Sequence, residues 1–159
     1  MLTRPAGSDE GTRYVKTTTV DTSDEIRDIL DSARTIAIVG CSDRPSRTSY
    51  AIYMYLTEHG YTVIPVNPNH SECDQGKCYP DLLAIPEDMH IDIVTIFRNP
   101  RYTADMVEIA VRRSGRTGEK PVIWTQVGVS SPDADQLARD AGLPYVKNRC
   151  IMVEHSRLL

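Results

Sequence analysis

The segment Thr35-Ile36-Ala37-Ile38-Val39-Gly40 limits this chain more than any other. It is apolar at consecutive positions and closed by glycine, so neither face of the strand it forms can look onto water. Such a strand belongs inside a parallel sheet covered on both sides. Three further runs read as strands: Tyr61-Thr62-Val63-Ile64-Pro65-Val66, Ile91-Asp92-Ile93-Val94-Thr95-Ile96-Phe97 and Val122-Ile123-Trp124-Thr125. A shorter one, Pro144-Tyr145-Val146-Lys147, comes last. Helices are predicted between them, over about 48–59, 100–114 and 131–142, the first stopped by Gly60 and the last by Gly142. Another precedes the first strand, with Ile26, Ile29, Leu30 and Ala33 at helical spacing behind the N-cap candidates Asp21 to Asp24. The long connection over 70–88 has room for a short helix near Leu82-Leu83-Ala84. Strands alternating with helices at these lengths form right-handed crossovers. The expected fold class is therefore α/β, a doubly wound five-stranded parallel sheet in a single domain over 21–159, behind a polar tail over 1–20.

A chain of 159 residues can bury a proper core without metals or disulfides. Its net charge of −4 gives no general attraction to nucleic acid or to an anionic membrane. No apolar run has the length of a membrane span, and the N-terminus lacks the apolar core of a signal peptide. A cytoplasmic location is expected, where the four cysteines would be thiols.

In an open, Rossmann-like sheet, ligands bind beyond the carboxyl ends of the strands, near the point where the strand order reverses. The residues expected there are Gly40, Cys41, Ser42, Asp43 and Arg44 after the first strand, and Asn67, Pro68 and Asn69 after the second. Phe97, Arg98 and Asn99 follow the third, and Gln126, Val127 and Gly128 the fourth. Arg47 and Thr48 open the first crossover helix, whose unpaired N–H groups and positive dipole end suit phosphate. Together with Arg44 and Arg98 they point to an anionic, phosphate-bearing ligand; the bland alternative is a set of solvated loop charges. A nicotinamide dinucleotide is disfavoured. The first turn has Gly40 but not the other glycines of the dinucleotide fingerprint, and Asn67 stands where an acidic residue would grip the ribose.

Other residues invite chemistry less. His70, Cys73 and Cys78 fall in one loop, but three ligands without a second Cys/His pair fall short of a closed zinc site. Cys41 lies near a helix N-terminus that could lower its pKa, yet a small residue in a tight turn explains it better. Cys150 reads as a packed residue of the last segment. His59 suits a helix C-terminus, and His90 and His155 have no adjacent nucleophile pattern. Asp24, Asp28 and Asp31 read as a solvated helix face. Tyr50, Tyr53, Met54 and Tyr55 crowd one helix as core, surface or subunit contact. No nucleophile elbow, metalloprotease or Walker pattern occurs.

The motifs Val39-Gly40-Cys41-Ser42-Asp43-Arg44-Pro45 with Ser49-Tyr50, and Gly60 to Pro68, resemble the stand-alone CoA-binding domain proteins of bacteria and archaea. So do Val94 to Asn99, Trp124 to Val129, Ala141-Gly142-Leu143 and Asn148-Arg149-Cys150, in order from about Ser23 to the C-terminus. The same fold serves as the CoA-binding domain of succinate–CoA ligase alpha subunits and ADP-forming acyl-CoA synthetases. Their phosphorylated histidine lies on a separate domain without counterpart in this chain. The resemblance implies binding of coenzyme A or an acyl-CoA, without catalysis of its own, and allows a homodimer. It implies that Gly40 to Arg44 and the following helix start hold phosphates, that Asn67 and Pro68 border the adenosine, and that Phe97, Arg98, Asn99 and Gln126 lie beside the nucleotide and pantetheine arm. Asn148 departs from the acidic residue common in the family. Two alternatives stand beside this reading: an NAD(P)-binding or acyl-CoA-ligase-related enzyme component, and a thiol redox module built on Cys41 or Cys150.

Overall fold

The computed structural model describes residues 19–69, 72–73 and 76–159. Among these residues six parallel strands make the sheet: β1 (Thr19–Val20), β2 (Thr35–Val39), β3 (Thr62–Val66), β6 (Ile93–Ile96), β7 (Val122–Thr125) and β8 (Tyr145–Val146). Their spatial order is β1-β8-β7-β6-β2-β3. The five-strand expectation is thus short by one. Thr19 and Val20, in the segment expected to be tail, pair with Tyr145 and Val146 at the edge, and Val20 is buried. Two residues are too few to show a period-two pattern, so only the neighbouring strand reveals them. The remainder of the tail expected over 1–20, residues 1–18, lies outside the described residues.

Among the described residues, five helices cover the sheet: α1 (Ser23–Ser32), α2 (Thr48–Glu58), α3 (Thr103–Thr117), α4 (Pro132–Asp140) and α5 (Ile151–Leu158). The connection after β3 holds a small antiparallel ribbon, β4 (Glu72–Cys73) with β5 (Gly76–Lys77), then a 3-10 turn at Leu82–Ala84. Residues alternate across β2, which is flanked by β6 and β3. Ile36 and Ile38 pack with Ile26, Leu30, Ile52, Leu56, Trp124 and Ile151 on one face. Ala37 and Val39 pack with Ile64, Val94, Ile96, Val107 and Ala138 on the other. This double burial is what the unbroken apolar run demanded.

Local chemistry sets the ends of elements. Thr22 and Glu25 form a reciprocal capping box at α1, with Glu25 N donating to Thr22 Oγ1 at 3.2 Å and Thr22 N to Glu25 Oε1 at 3.1 Å. The Thr22 N–H holds the Glu25 carboxyl below the usual carboxylate range. Arg113 on α3 is buried and pins the long connection, its guanidinium donating to the carbonyls of Leu82, Ile85, Pro86 and Met89 at 2.6–3.1 Å. α5 was not anticipated. Its eight residues begin with three apolar positions in succession and show no clean helical period, and its place comes from packing Ile151 and His155 against α1 and α2.

His70 and the side chain of Cys73 lie outside the described residues, while Cys78 is buried. Among the described residues no three His, Cys, Asp or Glu side chains converge as metal ligands. Among them, too, no helix is long and apolar enough to cross a membrane.

Candidate ligand-binding site

Strand order reverses at β2, which has β3 on one side and β6 on the other, so a crevice opens above the carboxyl ends of β2 and β6. Gly40 makes the first turn there. Its φ is 87°, and a Cβ at this position would overlap the backbone carbonyl of Phe97. Glycine thus brings two strand ends together that any side chain would hold apart. The N–H groups of Gly40 and Cys41 both donate to Val66 O, at 2.8 and 3.2 Å.

The loop from Gly40 to α2 is tied to itself. Ser42 N donates to Ser49 Oγ at 2.9 Å, Arg44 N to Ser42 Oγ at 3.1 Å, and Arg47 N to Arg44 O at 3.0 Å. It ends at Arg47, which caps α2 without a side-chain hydrogen bond. The first turn of α2 therefore faces the crevice with the positive end of its dipole. Asn67 locks the neighbouring loop, its Nδ2 donating to Cys41 O at 3.0 Å and its Oδ1 accepting from Asn69 N at 2.9 Å. Asn99 Oδ1 accepts from Arg101 N at 3.0 Å and starts the 3-10 turn Pro100–Tyr102 ahead of α3. The Arg98 guanidinium lies over the Tyr102 ring, 5.4 Å from its centroid.

These loops enclose a cavity of about 910 Å³. Gly40, Ser42, Arg44, Arg47 and Thr48 line it from the first loop and α2, Asn67 from the second, and Phe97, Arg98, Asn99 and Gln126 from the third and fourth. Of the expected residues, Cys41, Asp43, Pro68, Asn69 and Gly128 are not on its wall. Cys41 is fully buried beneath the loop, turned inward by the same glycine turn that exposes Ser42. Pro68 lines a separate apolar cavity of about 220 Å³ with Val39, Val66, Leu82, Met106 and Ile109, and Arg98 stands in the walls of both. Gln126 is on the cavity wall but its amide is committed to the interior. Nε2 donates to Thr95 Oγ1 at 2.6 Å, and Oε1 accepts from Ile151 N at 3.3 Å. It ties β6, β7 and the start of α5 together.

Sequence reasoning missed Ser46, Ser49, Val129 and Cys150 as wall residues. Ser49 was visible in the motif around Tyr50. Cys150 was not, because its position depends on α5: it is the half-buried N-cap of that helix. The histidines lie away from the cavity. His90 sits before β6, at the opposite end of the sheet, with Nε2 2.9 Å from Asp92 and Nδ1 3.1 Å from Glu119. His155 packs on α2, its Nδ1 2.9 Å from Tyr55 Oη, with the His59 ring 5.0 Å away. Burial, and then His59, hold the His155 imidazole below its usual range. The described wall of the cavity thus offers guanidinium groups, hydroxyls, amides and one thiol, with an apolar stretch at Phe97, Val127 and Val129. It can hold an anion at one end and an uncharged arm at the other.

A family model described as a CoA binding domain matches residues 34–156. The YneT protein of Bacillus subtilis is 35% identical over 132 residues, covering 83% of this chain and 93% of that protein. An ADP-forming acetate–CoA ligase of Archaeoglobus fulgidus is 30% identical over 116 residues, 73% of this chain but 16% of the ligase. Among solved structures, a hypothetical protein from Pyrococcus horikoshii superimposes with a TM-score of 0.79 at 39% identity, covering 99% of this chain and 98% of that one.

Proposed function

Because the chain belongs to the CoA-binding domain family, we propose that it binds coenzyme A in the cavity at the carboxyl edge of its sheet and performs no chemistry on it alone. The observation that carries this is the gathering of Arg44, Arg47, Arg98 and the N-terminus of α2 around one cavity in a chain of net charge −4. Phosphates are the groups such an array favours. In this reading the ligand's phosphates lie on the arginines. The adenosine lies by Asn67 and Pro68, where the small apolar cavity can take a flat ring, and the pantetheine arm follows Phe97 toward Val127 and Val129. This chain spans 16% of the Archaeoglobus enzyme, and that enzyme's ligase activity is no part of the proposal.

The test is calorimetric titration of the reduced protein with CoA and with NAD in parallel. Saturable heat with CoA and none with NAD is expected. Arg98→Ala should weaken CoA by about tenfold, in line with about 1.4 kcal/mol for one charge-assisted contact at a partly exposed site. It should also make the affinity less sensitive to salt. NAD binding, or an Arg98→Ala affinity equal to wild type, would refute the assignment.

A further inference from the structure

Val127 and Cys150 stand in the wall of the large cavity and also in the wall of a second groove of about 400 Å³. The two hollows therefore meet at these residues. The second groove continues over Lys147, Arg149, Val153 and Glu154, beside the N-terminal turn of α5.

The strand order gives the large cavity a direction. It crosses the ends of β3, β2, β6 and β7 in that order, from Asn67 past Gly40 and Phe97 to Val127, with Cys150 beyond. Neighbouring strands lie about 4.8 Å apart, so the first four ends span about 14 Å. Arg44, Arg47 and Arg98 follow β2 and β6, between Asn67 on one side and Val127, Val129 and Cys150 on the other. A CoA molecule anchored by its phosphates on the arginines sends its thiol arm toward Val127 and Cys150. Whatever is attached to that sulfur enters the groove beyond.

We propose that this protein carries a short-chain acyl thioester of CoA, with the acyl group seated in the groove between Val127 and Val153; the inference rests on the CoA reading above. Two features set the acyl class. Val127 is 71% exposed and Val153 53% exposed, apolar surface that a few carbons would cover. Lys147, Arg149 and Glu154 bound the rest of the groove, with Arg149 held 3.6 Å from Glu154 and donating to Asp21 O at 3.0 Å. A long hydrocarbon would have to run across these charges, which lose hydration under it.

The experiment measures affinity for CoA, acetyl-CoA, butyryl-CoA and palmitoyl-CoA on the wild type, Val153→Trp and Val153→Asp. Each methylene transferred from water strengthens binding by up to about fourfold. Butyryl-CoA should therefore bind the wild type about tenfold more tightly than CoA, with no further gain for palmitoyl-CoA. Both variants should lose that tenfold advantage while keeping wild-type affinity for CoA, which also shows that they fold. Equal wild-type affinity for CoA and butyryl-CoA would overturn the acyl seat and leave the CoA reading standing. So would a butyryl advantage that survives in both variants. Absence of binding to all four ligands would instead overturn the CoA reading itself.

Discussion

Gly40 is where a single atom decides most. Its positive φ and its contact with the Phe97 carbonyl are both incompatible with a Cβ. Gly40→Ala should destabilise the fold by about 2 kcal/mol or more, from the left-handed backbone and the overlap together. A denaturant midpoint equal to wild type would show that the loop relaxes freely. Cys150 offers a direct probe of the cavity. It is half-buried on the wall, whereas Cys41 and Cys78 are buried. With CoA at ten times its Kd only about one molecule in eleven is unoccupied, so alkylation of Cys150 should slow about tenfold. Peptide mapping after timed iodoacetamide treatment measures this, and an unchanged rate would place the ligand elsewhere. The residue-level reading of the sequence put Gly40, Ser42, Arg44, Arg47, Thr48, Asn67, Phe97, Arg98, Asn99 and Gln126 at one cavity. It puts Cys41 and Pro68 there too, because adjacency along the chain does not tell which side of a turn a side chain takes.

α5 is the element that joins the cavity to the rest of the molecule. Its first N–H is held by Gln126, Trp124 Nε1 donates to Arg149 O at 2.7 Å just ahead of it, and its far half rests on α2 through His155. That last contact makes stability depend on pH. The fold favours neutral His155, so its folded-state pKa lies below the ordinary value of 6.5. The stabilisation is complete above that value and is lost as pH falls from it through the folded-state pKa. Denaturation at about pH 7.5 and about pH 5.5 should show a fall in stability that is shallower in His155→Gln. Equal falls in the two proteins would mean that other groups carry the acid sensitivity. None of this was legible beforehand. The sequence predicts β2, α2, β7 and α4 closely because each has a strong pattern and a stop signal. α5 has neither, and its helix is a product of the surfaces it covers.

For the molecule as a whole, ligand binding and folding are one equilibrium. CoA at a hundred times its Kd should add about 2.7 kcal/mol to unfolding, a rise in melting temperature of about 10 °C for a domain of this size. NAD at the same concentration should leave the melting temperature where it is; a similar rise with NAD would contradict the ligand assignment. The sequence by itself determined the architecture. Runs apolar on both faces can be satisfied only by a sheet with helices on both sides, and regular alternation leaves only parallel crossovers. It also determined that arginines and a helix N-terminus would meet, because strand ends in such a sheet share one edge. Tertiary structure alone decided the sixth strand, since Thr19 and Val20 acquire their conformation from hydrogen bonds to β8. It alone turned Cys41 inward, gave Pro68 a cavity of its own and brought Cys150 to the wall. Those outcomes depend on contacts between segments far apart in the chain, and a local pattern carries no record of which distant surface will arrive.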